Sequence, residues 1–145
     1  MVLPDVNVLV YAFRRESSLH ERYAAWLTDL LGGAEEIGIS EGTLTGFLRI
    51  VTNPRIYADP APISEALTFV DAVRGARRRR WVAVTDAVWT RFAALVDTDP
   101  QVRGNLVPDA WLAALALAHG CQIATADRGF ARFDGLAWFD PARPR

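Results

Sequence analysis

Short apolar runs of about four residues alternate along this chain with longer segments whose apolar residues recur at helical spacing. Parallel strands that neighbour one another need a long crossover connection, usually a helix, so the alternation constrains the chain to an α/β fold with a parallel sheet covered on both faces. The first run, from Val2 to Tyr11, reads as a buried strand that turns into a helix. Leu19, Tyr23, Trp26, Leu27, Leu30 and Leu31 mark the next helix, which Gly32 and Gly33 stop. A second strand is expected at Ile37 to Ser40, followed by a helix through Leu44, Phe47, Leu48 and Val51 that ends near Asn53 and Pro54. Pro60 and Pro62 punctuate a loop before a helix starting near Ser64 and ending at Gly75, and the run Arg77 to Arg80 reads as a solvated loop. Trp81 to Val84 is expected to be a strand, and Thr85 to cap a helix through Val88, Trp89, Phe92, Leu95 and Val96. Thr98 to Val107 is polar and reads as a loop. Asp109 opens a strongly apolar helix that closes at His119 and Gly120; strands at Gln122 to Thr125 and near Leu136 to Phe139 complete the chain.

The pattern shows no internal repeat, and residues 1–145 read as one domain whose 51% hydrophobic content can build a core without a disulfide. The single cysteine, Cys121, has no internal partner and reads as a small buried hydrophobe. Trp111 to Ala118, the longest apolar stretch, falls far short of the roughly 20 residues a spanning helix requires. Pro4, Asp5 and Asn7 interrupt the start where a secretory signal would be apolar, so no signal peptide is expected and the chain reads as a soluble cytoplasmic protein without a membrane partner. A net charge of -1 does not announce a nucleic-acid binder, so any such surface must be local. Every basic residue is arginine. Mechanisms that require a lysine are thereby excluded.

Four acids fall at telling places in the alternation. Asp5 follows the first strand, Glu41 the second, Asp109 begins the apolar helix, and Asp127 comes just after the strand that this helix precedes. Ligands of open parallel sheets bind beyond the carboxyl ends of the strands, so at least three of these side chains should share one crevice. Taken singly, each has an ordinary explanation. Asp109 and Glu41 suit the first turn of a helix, and Asp127 suits a turn. Asp5 is harder to explain that way, because a carboxylate among Leu3, Val6 and Val8 is costly to bury unless paired or bound to a cation. Carboxylates without a His/Cys set suit a hard divalent ion such as magnesium or manganese, and the matching chemistry is phosphoryl transfer. His20 and His119 read as structural, no Ser/His/Asp or Cys/His set is present, and the tryptophans read as core or interface aromatics.

With those residues in place, the chain resembles the PIN-domain ribonucleases, in particular the VapC-type toxins of type II toxin-antitoxin systems. Leu3 to Ala12 resembles the family's first motif, Ser40-Glu41 through Arg55 the second, Gly104 to Ala116 the third, and Thr125 to Phe133 the fourth. The resemblance implies a three-layer α/β/α fold with a central parallel sheet and magnesium-dependent endonucleolytic cleavage of RNA, with manganese as a substitute. It implies that Asp5, Glu41, Asp109 and Asp127 are catalytic and metal-binding, with Asn7 and Thr125 supporting them from behind. A VapB-type antitoxin and a second copy of the chain are the implied partners, with the faces carrying Leu44, Phe47, Leu48 and Val51, or Tyr23, Trp26 and Leu30, offered for contact. Arg49, Arg55, Arg128 and Arg132 are the arginines expected to meet RNA. In this sequence Gly129 stands where many relatives carry a further acid, two residues after Asp127. Two alternatives stay open beside this reading: an inactive PIN-fold interaction module, and a magnesium-dependent phosphatase-like domain, which the absence of lysine opposes.

Overall fold

A computed structural model describes residues 1–143. Its centre is a five-stranded sheet in the order β3-β2-β1-β4-β5, with every neighbouring pair parallel. The strands are β1 (Val2–Pro4), β2 (Ile37–Ile39), β3 (Arg79–Trp81), β4 (Gln122–Ala124) and β5 (Trp138–Phe139). Between them run α1 (Val6–Phe13), α2 (His20–Gly32), α3 (Glu41–Val51), α4 (Ile63–Arg74), α5 (Asp86–Thr98) and α6 (Val107–His119). Each strand is only two or three residues long, so side-chain burial rather than ladder length holds the sheet.

Two clusters of buried side chains lie on opposite faces. Val2, Ile37, Ile39 and Ala124 point toward α1–α4, where they meet Leu9, Tyr23, Leu27, Phe47, Val51 and Val70. Leu3 and Ile123 point the other way, onto Val88, Leu95, Leu112 and Leu115 of α5 and α6. Successive strand residues alternate between faces, which is why neighbouring Val2 and Leu3 belong to different clusters. The result is three layers, helix, sheet and helix.

Several apolar residues that sequence offered to partners are spent inside. Tyr23, Phe47 and Val51 are fully buried, and Leu30 and Leu44 nearly so. Helical periodicity marks the buried stripe of a helix but does not say whether another helix of the same chain covers it. The large hydrophobics left exposed are others, among them Ile56, Ile63, Leu67, Trp81, Val84 and Trp89.

Boundaries moved in three places. The arginine run is no loop: Arg79 and Arg80 begin β3, which ends at Trp81 instead of extending to Val84. An edge strand faces water along its length, so it lacks the apolar signature of an interior one. Helix α6 starts at Val107, with Pro108 in its first turn, so Asp109 sits inside that turn. Within the polar segment before it, Gly104–Leu106 form a 3-10 turn. Gly120 ends α6 with φ 64°, a left-handed conformation that glycine adopts without steric cost, and the chain drops directly into β4. Among the described residues no helix is long and apolar enough to cross a membrane.

Candidate active site

Beyond the carboxyl ends of β1 and β4 the backbone turns twice, and the two turns are stitched together by side chains. Asp5 is the N-cap of α1 and is only 8% exposed. Its Oδ1 accepts the Val6 amide at 2.6 Å, while its Oδ2 accepts from Asn7 Nδ2 at 2.6 Å and from the Thr125 hydroxyl at 2.7 Å. Asn7 reaches across in turn, its Oδ1 accepting the Ala126 amide at 3.1 Å. Thr125 Oγ1 also accepts the Asp127 amide at 3.0 Å, and Asp127 Oδ1 accepts the Gly129 amide at 2.7 Å. Asn7 and Thr125 therefore join the first and fourth sequence motifs directly.

A carboxylate has about four acceptor positions. Three of those on Asp5 are filled from within the protein, leaving one on Oδ1. Burial pushes the Asp5 carboxyl above its ordinary pKa; the Thr125 and Val6 hydrogen bonds pull it back, and the charge of Asp127 pushes it up again.

Asp109 arrives from the other side. Helix α6 runs antiparallel to the strand it feeds, so its N-terminal turn stands at the same end of the sheet as Asp5. Partial burial, then the charges of Asp5 and Asp127, raise the Asp109 pKa to about 6, with Arg132 opposing them. Asp109 therefore lies within electrostatic reach of Asp5 and Asp127, three of the four predicted acids. The fourth, Glu41, follows the carboxyl end of β2 as the first residue of α3 and is exposed, while Ser40 caps that helix through the Thr43 amide at 3.4 Å.

Among the described residues no three His, Cys, Asp or Glu side chains stand in a group that could hold a metal ion as they are. The donor chemistry nonetheless fits a hard divalent cation: the set is all carboxylate, and both the burial that chiefly lifts Asp5 and Asp109 and the neighbouring like charges that add to it are what a cation would offset.

The arginines divide by position. Arg132 lies near enough to act on Asp109, but its guanidinium is tied to Asp99 at 2.8 Å and to Gln101 at 2.6 Å. Arg128 is exposed beside Asp127. Arg49 stands in the last turn of α3, which runs away from the crevice, and Arg55 lies in the turn beyond it. Sequence reasoning missed the Asp99–Arg132 tie, whose partners sit 33 residues apart with no periodic pattern to link them. His119 Nε2 lies 2.8 Å from the Ala83 carbonyl oxygen and His20 Nδ1 3.1 Å from that of Tyr11, both in structural roles.

Comparison with known proteins places the chain among relatives of one family and fold. The PIN domain family matches residues 2–136. The chain is 38% identical over 141 residues to ribonuclease VapC43 of Mycobacterium tuberculosis, covering 97% of this chain and 95% of that one. It is 33% identical over 150 residues to ribonuclease VapC33 of the same organism, with 99% of both chains covered. Among solved structures, VapBC2 from Rickettsia felis bound to a DNA fragment from its promoter superposes with a TM-score of 0.69 at 18% identity, covering 97% of this chain and 98% of that one.

Proposed function

The chain belongs to the PIN-domain family, and on that footing we propose that it is a VapC-type endoribonuclease, the toxin of a toxin-antitoxin pair, hydrolysing RNA phosphodiester bonds with a divalent cation. The observation that carries this reading is the buried Asp5 carboxylate, held on both oxygens and within electrostatic reach of Asp127 and Asp109, the latter raised to a pKa of about 6 by partial burial and then by the charges of Asp5 and Asp127. A purely structural N-cap has no need of two more acids around it.

Magnesium, or manganese in its place, would supply an activated water and neutralise charge building on the phosphate oxygens. Asp5, Asp109, Glu41 and Asp127 are the residues to hold it. Asp5 is the fixed member, because three hydrogen bonds lock its orientation. Half-buried Asp109 and exposed Asp127 would complete the set around the remaining Oδ1 position. Glu41, free in solvent, orients a water or another ligand from across the crevice. Asn7 and Thr125 act through Asp5 and keep its free lone pair aimed outward.

The named relatives are VapC ribonucleases, and a solved structure of the same fold is a VapBC complex. By extension, the proposed setting is a single cytoplasmic domain over residues 1–145, homodimeric and bound by a VapB-type antitoxin. The exposed apolar residues outside the crevice, Ile56, Ile63, Leu67 and Trp89, are available to those partners. The decisive experiment is cleavage of total RNA by purified protein with magnesium, comparing the parent with Asp5→Asn and Asp109→Asn. Each variant should lose about 10²-fold or more in rate while keeping its circular dichroism spectrum. Parental rates in either variant, with contaminating nuclease excluded, would overturn the assignment.

A further inference from the structure

The edge strand β3 carries two kinds of arginine. In a parallel ladder register partners point to the same face, so Arg79 beside Ile37 and Trp81 beside Ile39 face the α1–α4 side, and Arg80 faces the other. On that other side Glu36 neutralises the run, accepting Arg80 Nε at 3.0 Å and lying 3.4 Å from Arg78 Nη2. Arg79 meets no carboxylate within ion-pair distance among the described residues. Although its face is the one the helices cover elsewhere, β3 lies at the rim, and all three of its residues are exposed. Trp81 keeps half its surface in water and stacks on no other ring among the described residues.

Trp81 is the last residue of β3, at the same end of the sheet as the acids. Its register partner Ile39 precedes Ser40 and Glu41. With strands about 4.8 Å apart, Trp81 stands roughly 10 Å across the sheet from the line that Asp5 continues. Arg79 lies about 6.6 Å behind it along the strand. A free guanidinium followed by an exposed indole, leading to an acidic crevice, has the two elements of a single-strand nucleic-acid platform: a charge for the backbone and a flat face for a base.

We propose that the Arg79–Trp81 face of β3 is a track for single-stranded RNA that leads the strand into the acidic crevice, Trp81 stacking on a base and Arg79 meeting a phosphate. This rests on the ribonuclease reading above and adds to it a path. RNA fits this surface better than an apolar protein face does, because the cation beside the indole has no counter-charge among the described residues. The track also supplies what the tied Arg132 and the distant Arg49 and Arg55 do not.

The test is fluorescence anisotropy of a labelled single-stranded RNA with the full chain in chelator, the RNA checked intact on a gel, across a salt series. Trp81→Ala should weaken binding about 5- to 150-fold, the range for loss of one stacked base, and Trp81→Phe should retain most of it. Arg79→Ala should flatten the slope of log affinity against log salt by about 0.7, one phosphate's worth on a single strand. Arg80→Ala, on the neutralised face, should leave the slope unchanged. If the parent binds no RNA, the ribonuclease reading falls and the track with it. If the parent binds and both Trp81→Ala and Arg79→Ala bind equally well, the track alone is wrong. Equal weakening by Arg80→Ala would mean that general charge and not this face does the binding. Unchanged RNA affinity with loss of the cognate antitoxin from those variants would make the face a protein interface and overturn the proposal.

Discussion

The two halves of the crevice are built on different terms. On the β1–β4 side, Asp5, Asn7, Thr125 and Asp127 belong to a network of five hydrogen bonds, three of which cross between the two turns, and Thr125 is fully buried. On the β2–β3 side, Glu41 and Trp81 stand in solvent, and Ser40 serves the helix that follows it. One half is preorganised, so its geometry is fixed before a ligand arrives; the other is adaptable and suited to meeting an irregular polymer. A substitution in the first half should therefore damage rate and stability together. In the second it should separate them.

The sharpest way to break the contrast is Thr125→Val, which keeps the shape and removes the hydroxyl. Asp5 Oδ2 loses a donor and the Asp127 amide loses its acceptor, both beside a buried carboxylate. RNA cleavage should fall about 10- to 100-fold, as for other residues that orient a ligand from behind. Stability should drop by about 1–3 kcal/mol. A denaturant titration and a cleavage assay on one preparation read both, and intact stability with intact rate would mean that the preorganised half does not need this network.

A second test exploits the charge crowding of that same half. Asp109 titrates near 6 in the folded protein, above the ordinary 3.8, so the folded state holds its proton more tightly than the unfolded chain does. The stability this contributes is fully present below about 3.8 and is lost as pH rises through 6. Without metal, the melting temperature should fall across that window, and Asp109→Asn should flatten the fall. Divalent cation should reverse it at neutral pH, adding about 2.7 kcal/mol at 100 times its dissociation constant. A pH profile identical in parent and Asp109→Asn would show that neither burial nor the neighbouring acids hold the Asp109 proton in the fold.

The smallest effect belongs to the adaptable half. Ser40→Ala removes the α3 cap and should cost about 1 kcal/mol in a thermal melt while leaving the cleavage rate close to the parent's. A rate loss as large as that of Thr125→Val would erase the distinction between the halves.

How legible these halves are in sequence follows from the same contrast. Asp5, Asn7, Thr125 and Asp127 announce themselves because strand ends bounded by apolar runs are easy to place, and an acid among Leu3, Val6 and Val8 needs explaining. The β2–β3 side hid its edge. Arg79 and Arg80 alternate between faces, but with charge on both, so no apolar period marks the strand, and only pairing with Ile37 and Gly38 makes them one. The start of α6 was displaced for a comparable reason. Asp109 is a plausible opening residue, and the Pro108 that signals an earlier first turn carries no periodicity. Arg132's engagement with Asp99 and Gln101 is a tertiary fact that local pattern does not encode.

The bond from Thr125 to Asp5 joins residues 120 positions apart. Distance along a chain is also time, because a ribosome adds residues in order. At 5–20 residues per second, roughly 6–24 seconds pass between the synthesis of Asp5 and that of the hydroxyl that aims it. For that interval a nascent chain carries the first motif without the means to orient it, and the buried half of the crevice cannot close. An activity aimed at RNA is thereby withheld from the chain while it is being made on RNA, by the order of its strands alone.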